Sequence, residues 1–318
     1  MGEDIYPACW SLVARTSILA EISFVLLLAA CGSPPTTTDP RPARSDVDPR
    51  AAELHEAMPK IAPFFTPMGK PRPGDWLAAF HEDGQTFDEW LQGNPTLPSA
   101  ERRKLYVLPL GHFTDVQLRV IAVTAGYLSA FYGLPVESLK PQLLNAEFPN
   151  VRHSDYTHTR QVKTDFVLER VLAPMLPNDA AALIAFTDQD LFPDETMSYV
   201  FGQASFDKRV GVWSLFRLRD ASFERFLRRT IKIAAHETGH MFSMHHCIKY
   251  ECLMSGTNQL NETDRRPIDA CPECMAKVCW LSDQSPADRY KRLAEFCRKN
   301  DLEGDAIEFE KKAAAVAK

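Results

Sequence analysis

The chain has 318 residues, 45% of them hydrophobic and 25% charged, a composition that supports one large core or two unequal ones. A formal charge of −6 and the lack of any long run of Lys and Arg exclude a phosphate-tracking surface, so no nucleic-acid partner is expected.

The first 31 residues read as an export signal. Arg15 precedes an apolar stretch over 18–30, broken only by Glu21, that is too short and too soon followed by polar residues for a membrane span. Leu28-Ala29-Ala30-Cys31-Gly32-Ser33 resembles a lipoprotein cleavage box, in which Cys31 would be lipidated and begin the mature chain; an ordinary cleaved signal or a buried apolar segment are the alternatives. Glu3 and Asp4 make the extreme amino end acidic where a signal is basic, a conflict that initiation near Val13 would remove, so translation of residues 1–12 stays open. The expected location is the cell envelope, at a membrane surface held through Cys31. Residues 32–61 are assigned as a flexible linker, because 34–50 is proline-rich and has no apolar periodicity.

From residue 62 the chain alternates short β-like runs with amphipathic helical ones, without internal repeats, which predicts an α+β core over 62–246. Residues 104–110 read as a strand, 114–132 as a helix with a start signal at Asp115, 164–176 as a second helix and 182–186 as a buried strand. Residues 198–203 and 210–217 are strand-like. A long helix then starts at Asp220 or Ser222, carries Phe223, Phe226, Leu227, Ile231 and Ala234 at core spacing, and loses its pattern after Ser243. Residues 247–318 form a smaller cysteine-containing subdomain that closes with helices over 286–299 and 304–317.

The end of the long helix carries the chemistry. His236 and His240 stand four apart, so they lie one turn above each other and can grip one metal, with Glu237 beside the open position. A catalytic zinc takes three protein ligands and one exchangeable water, and His246 has the better spacing for the third; His245 competes. Zinc lowers the pKa of its water towards about 7, and Glu237 is placed to take the water proton and pass it to the leaving amine. Met254, eight residues after His246, is either a methionine beneath the metal or an ordinary core residue.

Cys247, Cys252, Cys271 and Cys274 form C-x4-C and C-x2-C pairs that suit a closed, structural zinc site. Two disulfides are the competing reading, and the oxidising compartment implied by a signal strengthens it. Cys279 and Cys297 are left over, as a disulfide, as free thiols or as small buried residues.

Taken together, His236-Glu237 through His240, then His246-Cys247, Cys252-Leu253-Met254 and the later Cys271 to Cys274 resemble the motif of the archaemetzincins, a family of metzincin-clan metallopeptidases. Weaker echoes at Pro73-Gly74-Asp75-Trp76-Leu77, Gln85-Thr86-Phe87 and Phe201-Gly202-Gln203-Ala204 extend the resemblance over about 62–280. It implies a zincin core: a twisted mixed sheet over a cleft, a backing helix, the zinc helix, and a small C-terminal subdomain around a zinc held by four cysteines. It implies two zinc ions, one catalytic and one structural, and a peptide or protein substrate, cut internally or trimmed from the amino end. The substrate chain would add to an edge strand near 210–217. A monomer is expected. A non-catalytic zinc-binding lipoprotein or scaffold that keeps the fold is the alternative, against which the intact Glu237 stands. One residue departs from the family: where it has Gly between the second and third His, this chain has Ser243. Serine in a left-handed turn costs about 1–2 kcal/mol, and zinc binding is expected to survive that cost.

Overall fold

A parallel βαβ unit begins the central sheet. The computed structural model describes residues 48–155, 157–205 and 208–317. β1 (Lys104–Pro109) is followed by α4 (Asp115–Tyr132) and β2 (Val136–Ser138), and the helix boundaries are written locally: Thr114 and Gln117 form a capping box, and Gly133 ends the helix at φ +64°. β5 (Ala180–Thr187), buried along its whole length, pairs parallel with β1 on one side and with β8 (Val210–Ser214) on the other. β7 (Gly202–Ser205) runs antiparallel along β8, which makes a mixed sheet in the order β2-β1-β5-β8-β7. A smaller sheet of β3 (Val151–His153), β4 (Arg160–Lys163) and β6 (Asp190–Phe192) stands beside it.

α6 (Phe223–Met241) starts at Ser222, whose hydroxyl accepts from the Arg225 N–H, and packs against α4 and β7. Its first turns are half solvated, but every residue from 230 to 241 is buried. Tyr132 at the end of α4 donates to the Ala235 carbonyl at 2.5 Å, tying the backing helix to the last turns of α6. The expected α+β frame of mixed sheet, backing helix and histidine-bearing helix is the one found.

Several local expectations are corrected. β8 is not an edge: β7 lies outside it, with Gly202 opposite Trp213 and Ser205 opposite Val210, so the open edge on this side belongs to β7. Only the end of the expected strand over 198–203 enters the sheet, Val200 making an isolated bridge to Leu191. The expected helix over 164–176 is irregular: a single α-turn, α5 (Thr164–Phe166), then a π-helical Val167–Leu172 and a 3-10 turn at Ala173–Met175. Pro174 removes an N–H that a regular α-helix would use there.

The linker assigned to 32–61 is corrected over 49–61, which is helical, and its part over 32–47 lies outside the described residues. α1 (Pro49–Ile61) is a helix with Asp48 as its cap and Pro49 in its first turn, and it buries Ala51, Leu54, Ala57 and Ile61. It packs on α8 (Pro272–Ser282) and α10 (Glu303–Val316), while α9 (Pro286–Lys299) packs on α4 and α10. One apolar cluster therefore runs from Ala51 to Ala313 and takes in residues on both sides of the expected boundary at 246/247. The export signal and Cys31 lie outside the described residues. Among the described residues no helix is long and apolar enough to cross a membrane.

Candidate metal centres

His236, His240 and His246 converge, each nearly fully buried, with one ligand nitrogen apiece inside a common 4.8 Å span. The outer nitrogens fix the rings. His236 Nδ1 donates to the Leu253 carbonyl at 2.9 Å and His240 Nδ1 to the Met244 carbonyl at 2.6 Å. Carbonyls only accept, so both rings carry their proton on Nδ1 and turn the lone pair of Nε2 inward. Those two Nε2 atoms face each other at 3.0 Å, an arrangement of two acceptors that a cation between them satisfies. The third ring agrees: His246 Nδ1 meets the Glu82 carboxylate at 2.7 Å, and its Nε2 is buried without a hydrogen-bond partner. Burial pushes the pKa of His236 down to about 3 and that of His240 well below the usual histidine range, which keeps both rings in the neutral form that ligates. The donor set fits zinc. His245, the competitor, is exposed and outside the cluster; its backbone N–H donates to Gln85 Oε1 at 3.2 Å.

Glu237 lies beside these rings, 2% exposed, with Oε1 unpartnered and 4.0 Å from His236 Nε2. Burial raises its pKa well above the usual carboxylate range.

Met254 is fully buried against the same helix. A Cβ on Gly239, in the turn between the two helix histidines, would stand 2.7 Å from Met254 Sδ, so glycine lets the helix rest on that thioether as it now lies. The methionine thus lies against the helix segment between the ligands, and the core alternative left open by spacing is compatible with the same contact.

Ser243 takes the left-handed conformation expected at the departure from the family motif, at φ +62°. The turn is braced from upstream: Trp90 Nε1 donates to the Phe242 carbonyl at 2.9 Å, Gln85 Nε2 to the Ser243 carbonyl at 3.3 Å, and the Thr96 N–H to Ser243 Oγ at 3.1 Å. These bonds hold the strained residue in place and deliver His246 to the cluster.

Cys247, Cys252, Cys271 and Cys274 form the second cluster, all buried, their sulfurs within 4.8 Å of one another. The disulfide reading does not hold here: the four are free thiols, with Cys247 and Cys271 sulfurs 3.5 Å apart against about 2.05 Å for a bond. Cys279 and Cys297 are likewise free and buried. Cys252 Sγ accepts from the backbone N–H groups of Cys271 at 3.2 Å and Met254 at 3.4 Å, and Cys271 caps the N-terminus of α8. Backbone donors and the helix dipole favour thiolate, whereas burial pushes the Cys252 and Cys271 thiols up; a tetrad of thiolates resolves that conflict around a cation. This donor set too fits zinc.

The two centres share the turn 252–254: Cys252 contributes a sulfur, the Leu253 carbonyl holds His236, and Met254 lies under the helix. Buried Asp269 braces the turn from behind, its backbone carbonyl accepting from the Leu253 N–H at 3.0 Å. Its carboxylate is fixed by Arg289 of α9 at 3.0 Å and Lys312 of α10 at 2.8 Å. The closing helices therefore hold the loop that both centres use. Three residues in this arrangement, Glu82, Gln85 and Gly239, have no assigned role in the sequence reading, although Gln85 lies in an echo of the family motif.

Both clusters lie within a region similar to known proteins. The model of peptidase family M54 matches residues 112–279. Over 280 residues the chain is 30% identical to archaemetzincin-2 of Pongo abelii and 30% identical to that of Homo sapiens, each match covering 76% of this chain and 77% of the relative. It is 29% identical over 180 residues to an archaemetzincin of Archaeoglobus fulgidus, across 55% of this chain and 98% of that one. The solved structure of an archaemetzincin from Methanopyrus kandleri aligns with a TM-score of 0.49 and 23% identity, covering 59% of this chain and 99% of that chain.

Proposed function

The chain belongs to the archaemetzincins, peptidase family M54, a family of zinc metallopeptidases, and we propose from that premise that His236, His240 and His246 hold its catalytic zinc and that Glu237 is its general base. The observation that carries the proposal is the convergence of three buried imidazoles, with a buried carboxylate beside them that has an unpartnered oxygen. When bound, the metal supplies Lewis acidity, lowering the pKa of a ligand water to about 7 and polarising the scissile carbonyl. Glu237 Oε takes the proton of the attacking water and returns it to the leaving amine. Hydrogen bonds from Nδ1 of His236 and His240 keep their Nε2 atoms deprotonated, and the buried wall keeps bulk water from competing for the carboxylate. The tetrad Cys247, Cys252, Cys271 and Cys274 holds a second, structural zinc, giving two per chain.

The substrate is a peptide or protein. An extended chain pairs with the outer edge of β7, the strand that packs beside α6, rather than with β8, which has neighbours on both sides. Export, with lipidation at Cys31, rests on the cleavage box in the sequence and is tested by the mass of the mature amino terminus.

Glu237→Ala and wild type, both zinc-replete, are compared on a mixed peptide library with the product ends identified. Wild type cleaves, and the variant loses roughly 10²- to 10⁴-fold in rate while keeping two zinc ions. The product ends separate internal cleavage from aminopeptidase-like trimming. Absence of cleavage by the wild type favours a zinc-binding scaffold that retains the fold, and fewer than two zinc ions per chain contradicts the ligand assignment.

A further inference from the structure

Of the three histidines, His246 is the one that no helix orients. His236 and His240 ride on α6 and donate to backbone carbonyls, whereas His246 follows the left-handed turn at Ser243 and meets a carboxylate. That carboxylate, Glu82, lies 164 positions upstream and outside the region matched by the family model.

The segment that presents Glu82 is fixed at both ends. α2 (Trp76–Ala79) is anchored to α7 (Leu260–Arg265), where the Trp76 N–H donates to Glu262 at 3.0 Å and Asp75 pairs with Arg265 at 2.6 Å. α3 (Phe87–Gln92) is anchored by its capping box of Thr86 and Glu89, and Gln85 before it accepts from Lys277 at 2.8 Å. Between them Gly84, at φ +71°, presses against Ile248; a Cβ there would be 2.7 Å from Ile248 Cγ1. Along this loop the side chains alternate: His81 and Asp83 are almost fully exposed, while Glu82 turns inward, one oxygen on His246 Nδ1 and the other buried without a partner. Trp76 closes the other side, its ring edge-on to His246 at 5.3 Å.

We propose that Glu82 is a positioning residue of the histidine centre, which holds His246 in its ligand tautomer and orientation and places an anion behind it to offset the charge of a divalent ion. An acceptor on Nδ1 fixes the proton there, frees Nε2 and makes it a stronger donor to a metal; outer partners of this kind change metal affinity by about 10- to 100-fold. The inference rests on the proposed zinc ligation by the three histidines.

The full chain is stripped of metal and reloaded, and zinc affinity is measured by competition with a chromophoric chelator for wild type, Glu82→Ala, Glu82→Gln and the neighbouring control Asp83→Ala. His240→Ala marks which of the two binding steps belongs to the histidine centre. Glu82→Ala weakens that step by about 10- to 100-fold and shifts the visible absorption of the cobalt-substituted centre, with the cysteine step and the melting temperature as in Asp83→Ala. Glu82→Gln, which keeps a neutral acceptor, falls between. Unchanged zinc affinity and cobalt absorption in Glu82→Ala overturn the inference and leave the ligand assignment standing. Parallel loss of both zinc steps and of melting temperature also overturns it, since Glu82 then supports only the fold. A wild type with zinc at the cysteine centre alone removes the ligand assignment and this inference together.

Discussion

At the histidine centre His236 and His240 ride on one helix and His246 arrives from a left-handed turn, a set of three donors that would leave one position on a zinc for water and substrate. At the cysteine centre the four sulfurs come from a loop and the start of α8 and lie within 4.8 Å of one another, a set that would close the shell of a tetrahedral zinc. Both use the turn 252–254, yet their surroundings differ. Carbonyls and a carboxylate face the outer nitrogens of the histidines, whereas backbone N–H groups and a helix N-terminus face the sulfurs. The first arrangement suits neutral donors to a metal that would have to stay reactive; the second suits anionic donors to a metal that would only have to stay. One centre is therefore expected to be separable from the fold and the other is not.

The sharpest way to break that distinction is to remove one ligand from each. Cys271→Ser exposes the chain to the loss of a structural zinc, whose binding free energy is on the order of 10 kcal/mol in small zinc domains and is coupled to folding. The variant is expected to be largely unfolded by circular dichroism and to elute as an expanded or aggregated species. His240→Ala, by contrast, should fold with little change in far-ultraviolet signal, bind one zinc and lack activity. Equal damage from the two substitutions would erase the contrast.

Gly239→Ala probes the contact between the centres. The added methyl stands 2.7 Å from Met254 Sδ and 2.9 Å from its methyl, so the buried thioether must shift to admit it. Overpacking of this kind costs about 1–3 kcal/mol. Because Met254 shares its turn with Cys252, the loss should appear as a lower melting temperature together with weaker zinc at the histidine centre. A variant that keeps both values unchanged would show that Met254 moves freely.

The extent to which these features were legible in the sequence follows from the range of the forces that place them. The pair His236 and His240 is set by helix pitch, and α4 by Thr114, Gln117 and Gly133, all within a few residues of what they control. Glu82 meets His246 across 164 positions through a loop without periodicity, so no local pattern announces it. The edge position of β7 depends on which strand pairs with β8, a choice made by the packed sheet. α1 hid behind proline-rich sequence because Pro49, a breaker elsewhere, is a good first residue of a helix. Ser243 was the opposite case: a single substitution in a known motif pointed to its backbone angle, though not to the bonds that compensate for it.

Those bonds make Ser243 the place for the smallest and most discriminating test. Glycine would relieve the left-handed backbone, worth about 1–2 kcal/mol, but it adds about 0.5–1 kcal/mol of chain entropy to be lost on folding. It also deletes the hydroxyl that accepts from the Thr96 N–H, a bond worth about 0.5–1.5 kcal/mol. The terms nearly cancel, so Ser243→Gly should melt close to wild type. Ser243→Ala keeps the backbone cost and loses the bond, and should be the less stable variant by about 1 kcal/mol in denaturant titration. Neither should alter zinc at the cysteine centre. If alanine instead matches serine, the Thr96 bond contributes nothing and the turn is held by Trp90 and Gln85 alone, which would place all the bracing of His246 in the upstream segment that also carries Glu82.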